Sequence, residues 1–319
     1  MVTYNISSPG FSPHPSWNTS ALVPAVLMST CFLLGFPGNI AVIILKPNWE
    51  NMSSLSQSLM LNLVVSDLLC LVTLPIWTYY FVRGWIFGLV FCKLITYFVY
   101  CSIYGSLLTV TVLSIQRYLQ VVHLERTLPQ VVANKLLVPL WLAAMILSIP
   151  ALVVRQLVEQ SDWTYCKHQY YSVSQSMAVL LTEIVVGFLL FSVIVFSYIS
   201  LYRKVNRAAF FNNPQTNRLI TSIIVTFVAL WMPYLVIDVL SLVAISLKIE
   251  GLLNFCEDSW NTVEALIFVN STMNPLLYAF TSIPFSTLCQ KIAEYFRQKV
   301  RAPQTLSMTT DIAVGATSQ

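Results

Sequence analysis

Four charged residues, Asp67, Arg117, Glu183 and Asp238, stand inside long apolar runs of a 319-residue chain. A charge held away from water is costly, so such residues pair, bind ions or line a polar cavity. Asp67 interrupts Leu63-Val64-Val65-Ser66-Asp67-Leu68. Far along the chain, Asn270, Ser271 and Asn274 are spaced one, three and four apart, which puts them on one side of a helix. Together with Ser106 they offer oxygens that suit two uses: hydrogen bonds between helices, or a small hard cation beside the Asp67 carboxylate. Arg117 closes the apolar run that ends Ser114-Ile115-Gln116-Arg117-Tyr118, a place from which arginine can also snorkel to headgroups.

The elements that position these groups follow from composition. Hydrophobic residues make up 57% of the chain and charged residues 9%, against roughly a quarter charged in soluble proteins. Mean hydropathy is +0.73. Seven apolar stretches run over 21–46, 53–82, 89–123, 131–155, 173–206, 214–247 and 257–281, separated by polar breaks such as Lys46-Pro47-Asn48 and Asn212-Asn213-Pro214. Each meets the roughly 20 apolar residues that a spanning helix needs. Their continuous apolarity excludes the short alternating strands of a membrane barrel. The expected fold is an all-α membrane protein, a bundle of seven transmembrane helices. Pro233 in the sixth span and Pro275 in the seventh each remove a backbone donor and bend the helix beside polar or aromatic residues, which suits a bundle with two packings.

Charge sets the expected orientation. Arg83, Lys93, Arg155, Lys167 and Lys248 fall on one side of the membrane, and the rest of the 17 Lys and Arg residues collect on the other. Cationic loops stay in the cytoplasm, so the N-terminus is expected outside, the C-terminus inside, and the protein in the plasma membrane as a multi-pass chain. The net +4 reflects that asymmetry, with no basic face for nucleic acid. Sequons at Asn5 and Asn18 agree as glycosylation candidates, and residues 1–20 lack the pattern of a cleavable signal peptide. Cys92 opens the third span and Cys166 sits in the second outer loop, an oxidising compartment where a disulfide would pin that loop over the bundle. Cys31, Cys70 and Cys101 read as small buried apolar residues. Cys256 has no evident outer partner, and Cys289 is a palmitoylation candidate. Residues 283–300 read as an amphipathic helix on the inner leaflet.

These residues together resemble a rhodopsin-like (class A) G-protein-coupled receptor along nearly the whole chain. The signatures run in order through Gly38-Asn39, Leu63 to Asp67, Cys92, Arg117-Tyr118, Trp141, Phe227 to Pro233, and Asn274-Pro275-Leu276-Leu277-Tyr278. The resemblance implies an allosteric sodium ion at Asp67, Ser106, Asn270, Ser271 and Asn274, with no other cofactor. It also implies an activation switch around Phe227, Trp231 and Pro233, and a G-protein-facing end at Arg117, Tyr118 and Tyr278. Two departures stand out. Gln116 occupies the position where the family carries an acid, so the local ion pair to the arginine is absent, although glutamine can still hydrogen-bond Arg117. The fifth span lacks the family's proline, offering Phe188-Leu189-Leu190-Phe191 before Tyr198, which leaves its helix bulge and register open.

Within that family the resemblance runs to leukotriene B4 receptors of the chemoattractant group, through Gly84 to Leu89, Ser102 to Leu108, Glu183 with Gly187 to Leu190, and Trp231-Met232-Pro233-Tyr234. The residues themselves agree. Arg155, at the outer end of the fourth span, presents a planar fork of donors to a carboxylate, unless it only snorkels. Tyr104, Glu183 and Trp231 would set hydrogen-bonding groups above an apolar floor, which suits a hydroxylated fatty acid. Tyr104 equally reads as helix packing, and Glu183 as one half of an internal pair.

The expectation is a receptor for leukotriene B4 or a related lipid mediator that signals to a heterotrimeric G protein of the inhibitory class. Phosphorylation of Thr305, Ser307, Thr309, Thr310, Thr317 and Ser318 would recruit arrestin. The division is 1–20 as extracellular segment, 21–282 as receptor domain, 283–300 as amphipathic helix and 301–319 as tail. A chemotactic peptide or an acidic metabolite would also suit Arg155 and Lys167. A transporter would call for inverted repeats or discontinuous spans. An enzyme would call for a nucleophile, base and oxyanion donors, a set the sequence does not offer.

Overall fold

A computed structural model describes residues 19–46, 49, 52–122, 130–160, 163–205 and 214–282. The segments with Asn5, Asn18, Cys289, the 283–300 helix and the tail lie outside the described residues.

Within them the chain forms α1 (Thr19–Leu45), α2 (Ser54–Leu71), α3 (Leu74–Arg83), α4 (Gly88–Val122), α5 (Gln130–Leu147), α6 (Ile149–Val154), the hairpin β1 (Arg155–Gln160) and β2 (Trp163–His168), α7 (Val173–Val205), α8 (Pro214–Leu247) and α9 (Glu250–Ser282). The seven expected rods are present, and two of them are broken. Proline lacks the N–H that the helix interior uses, so Pro75 and Pro150 sit in the first turns of α3 and α6. The side chains of Thr73 and Ser148 take up carbonyls just before each break, donating to Cys70 O and Ala144 O. Six of the rods are long and apolar enough to cross a membrane. The seventh, α9, has the length at 33 residues, but Glu250, Glu257, Asp258 and Glu264 make its first half too polar to stand out on hydropathy.

The rods close into a ring. Helix α4 is central, packing on α2, α5, α6, β1 and α7, while α7 leads to α8, α8 to α9, and α9 back to α1. The α1–α9 seam depends on Gly38, where a Cβ would lie 2.9 Å from Pro275 Cβ. Beside it Asn39 Nδ2 donates to Ser271 O at 3.0 Å and to Gly35 O at 2.9 Å. The core filling the ring includes Leu59, Leu63, Leu107, Leu113, Ile194 and Phe227, each almost wholly buried. The lipid-facing sides carry exposed Leu, Val, Ile and Phe, as on α7 with Val185, Phe188, Leu189 and Phe196. Helix α7 runs as one α-helix through the stretch that lacks proline, with Phe191 and Ile194 turned inward.

The hairpin is the one element that helical periodicity did not foretell. Its antiparallel register pairs Arg155 with His168 and Leu157 with Cys166. Cys166 is bonded to Cys92 on α4, so the expected disulfide is present and ties β2 to the bundle. A second tie comes from Trp85, whose backbone N–H donates to Thr164 O at 2.8 Å. Gly84 makes that approach possible, with φ at 79° and a Cβ position only 3.1 Å from the Trp163 ring.

Candidate ligand cavity and polar axis

Arg155 is fixed by the hairpin. Its N–H caps α6 by donating to Ala151 O, and from there the chain turns into β1. The buried guanidinium donates from Nη1 to Cys166 O at 3.3 Å and lies 5.7 Å above the Trp77 ring of α3. Its Nη2 stands 3.8 Å from Glu264 Oε1 on α9, a charge contact beyond hydrogen-bond length. Nε has no partner. The arginine is therefore neutralised but keeps donors to give.

Glu264 is the residue the sequence reading missed. Its signal was the same as that of Glu183, a carboxylate within an apolar run, but the polar first half of the seventh run concealed it. Glu183, on α7, accepts a hydrogen bond from Tyr234 OH at 3.1 Å, so its partner is a neutral phenol rather than a basic side chain.

From Tyr234 an aromatic ladder extends both ways. Toward the middle of the bundle it runs through Trp231 at 5.7 Å, Phe227 at 5.5 Å beyond that and Phe191 at 6.3 Å. Toward the hairpin it runs through Trp260 at 5.6 Å, then His168 at 6.3 Å and Tyr100 at 6.4 Å. Burial, with the Arg155 charge beside it, pushes the His168 imidazole well below its ordinary range, so it stands neutral. Tyr104 is buried in the same core. The four expected ligand residues thus occupy one end of the bundle, with Glu183 and Trp231 joined through Tyr234 and Arg155 joined to α9 through Glu264.

Halfway along, Asp67 is fully buried. Asn274 Nδ2 donates to one carboxylate oxygen at 2.6 Å and Ser106 Oγ to the other at 3.3 Å. Asn270 and Ser271 are buried on the same stretch of α9. Among the described residues no cationic side chain pairs with Asp67. One carboxylate, two hydroxyls and two amides form a donor set that fits a small hard cation.

At the far end from the hairpin, Gln116 turns away from Arg117. Its Nε2 donates to Ser53 Oγ at 2.9 Å, and its Oε1 accepts from Ser56 Oγ at 3.2 Å. Ser53 is the N-cap of α2, with its side chain accepting from Ser56 N, so the amide completes a cap. Arg117 donates to Gln120 Oε1 at 3.3 Å instead, while Nε and Nη2 have no partners among the described residues. The Tyr118 ring packs against Phe196 of α7 at 6.0 Å.

Residues 38–278 match the family model described as 7 transmembrane receptor (rhodopsin family). The chain is 31% identical over 289 residues to leukotriene B4 receptor 1 of Homo sapiens, covering 86% of this chain and 81% of that one. It is 28% identical over 292 residues to human C-C chemokine receptor type 8, covering 87% and 79%. It is also 29% identical over 269 residues to human C-C chemokine receptor type 4, covering 81% and 74%.

Proposed function

The chain belongs to the rhodopsin family of seven-transmembrane receptors, and from that premise we propose that it is a plasma-membrane receptor for leukotriene B4 or a closely related lipid chemoattractant. The hairpin end faces outward in this reading, and Arg117 faces a heterotrimeric G protein of the inhibitory class. The observation that carries the ligand class is Arg155, a buried guanidinium whose Nε has no partner among the described residues and whose Nη2 is only loosely engaged, set at the same end as the aromatic ladder. An acyl chain suits the rings, and a carboxylate suits the fork. The likeness to a leukotriene B4 receptor supports the same reading.

The agonist carboxylate would compete with Glu264 for Arg155 and loosen the hold of the hairpin on α9. Its chain would press on the ladder from Tyr234 to Phe227, beside Pro233 inside α8, where the missing backbone donor lets the helix bend. Differential affinity for the two packings then shifts the population toward the signalling state. Pro275 in α9 and the Asn274 to Tyr278 segment supply the second bend. Arrestin would engage the phosphorylated tail afterwards. G-protein activation in cells expressing the chain, challenged with eicosanoids, chemotactic peptides and carboxylic-acid metabolites, tests the assignment. Leukotriene B4 should respond at the lowest concentration, and a response confined to peptides would reject the lipid reading.

A sodium ion would be held by Asp67, Ser106, Asn270, Ser271 and Asn274, and would supply the positive charge that the carboxylate lacks. Its binding would favour the resting packing, so replacing sodium with N-methylglucamine should raise agonist affinity in the wild type and leave Asp67→Asn unaffected. An equal response in both proteins would sink the assignment.

At the cytoplasmic end, neutral Gln120 is a weak hold on Arg117, and Gln116 is engaged elsewhere. Gln116→Asp would add a negative charge one residue from Arg117, on a side chain too short to keep both α2-cap contacts of the glutamine. Ligand-free signalling is expected to fall several-fold at matched surface expression as that charge attracts the guanidinium. Unchanged basal signalling would show that the resting state is held by other contacts.

A further inference from the structure

Asp238 is the charged residue that the lipid reading leaves unused. It lies on α8 one turn beyond Tyr234, and the spacing of four puts both on the same helix face. Since Tyr234 OH meets Glu183 of α7 inside the bundle, Asp238 is turned toward the same interior. Its carboxylate is within electrostatic reach of Glu183 and Glu264, and Tyr104, Tyr170 and Tyr234 are within reach of it. The residue is 0% exposed, and neither carboxylate oxygen has a hydrogen-bond partner among the described residues.

The charges at this end of the bundle do not balance. Among the described residues Glu183 and Glu264 have Arg155 as the cation within electrostatic reach, Asp238 stands as a third carboxylate within reach of both, and His168 is neutral. Arg155 engages Glu264, and Glu183 has the Tyr234 hydroxyl. Asp238 has neither an ion nor a donor, and an ionised carboxylate in such a place calls for a cation or a proton. Phenol rings around it favour the cation, through the negative faces of their π systems.

We propose that Asp238 is a second ligand subsite, which takes a protonated amine or guanidinium, so that the cavity also binds amphiphiles carrying both an acidic and a basic group. The acid lies on Arg155, the cation lies between Asp238 and Glu183 among the tyrosines, and the apolar part fills the space beside the aromatic ladder. This goes beyond the lipid reading and shares with it only the premise that ligands occupy this cavity.

Two tritiated probes separate the subsites: an N-dodecanoyl-lysine with a free carboxylate and ammonium, and N-dodecanoyl-norleucine, which lacks the ammonium. Binding is measured on the full-length receptor in lipid nanodiscs. Wild type should bind the lysine lipid at least about tenfold more tightly than the norleucine lipid. Asp238→Asn should bring that ratio close to one with norleucine-lipid affinity unchanged, and Asp238→Glu should retain the preference. Equal affinities in the wild type, or no binding of the lysine lipid, would overturn the proposal. So would a preference that survives in Asp238→Asn, since the amide mimics a carboxyl that is merely protonated. The leukotriene B4 response of the same cells tests the Arg155 reading separately, because that lipid carries no cation.

Discussion

Arg155→Ala is expected to lower leukotriene B4 potency about a hundredfold at equal surface expression, a loss that combines two effects of the same sign. The ligand carboxylate loses its bidentate partner, and Glu264 is left as an unpaired carboxylate beside the place where that anion would sit. The second effect makes the double variant informative. Glu264→Gln in the Arg155→Ala background removes the like charge and should restore part of the lost potency, so the two changes will not add. Because Arg155 is buried, its loss leaves the Glu264 carboxylate without its ion-pair partner, so surface expression is matched across the cycle before potencies are compared. Radioligand binding on the four proteins of this cycle decides the matter. Wild-type affinity in Arg155→Ala would reduce the arginine to a structural clamp for the hairpin.

Cys166→Ser should be the more damaging change to the receptor as a whole. The bridge to Cys92 closes a stretch of 74 residues, and losing such a link costs about 2–4 kcal/mol. The functional cost exceeds the stability cost, because Cys166 also supplies the carbonyl that Arg155 Nη1 bonds, and Leu157 opposite it sets the register that pairs Arg155 with His168. Little protein should reach the cell surface, and the fraction that does should bind agonist weakly even at saturating expression. Cys92→Ser should behave alike. A serine variant with wild-type binding would show that the Trp85 to Thr164 bond and the hairpin register suffice to place the loop.

How far the sequence discloses this arrangement depends on which kind of contact a residue makes. Asp67, Ser106 and Asn274 were legible because their place in apolar runs and their helical spacing turned them inward, and the structure joins them by hydrogen bonds. The Cys92 and Cys166 pairing was legible from compartment and position alone. The hairpin was not, since Arg155 to His168 is short and mixed in character, and a strand pair earns its stability from the partner strand rather than from its own pattern. The breaks at Pro75 and Pro150 were hidden inside runs whose apolarity continues across them. The absence of an acid at position 116 was legible, but where the Gln116 amide goes instead was not. On a helix, consecutive side chains point about 100° apart, and the amide faces the α2 cap while the guanidinium faces Gln120. Glu264 shows another limit, since its place in an apolar run was masked by the acids before it, and its partner Arg155 lies far away in sequence.

Helix α4 carries the anchor of the hairpin at Cys92 and the half-buried Arg117 toward its other end, with no proline between them. At about 1.5 Å per residue, those two points are held nearly 40 Å apart by one uninterrupted rod. The hinged helices, α8 with Pro233 and α9 with Pro275, pack against each other at the opposite side of the ring. In mechanical terms α4 is the stator and the α8–α9 pair the rotor. Under the proposed reading, a ligand that pushes on the hairpin would do little work on α4, to which the disulfide ties it. Its force would appear as motion of α8 and α9 against that post, with Arg117 as the mark from which the motion is measured.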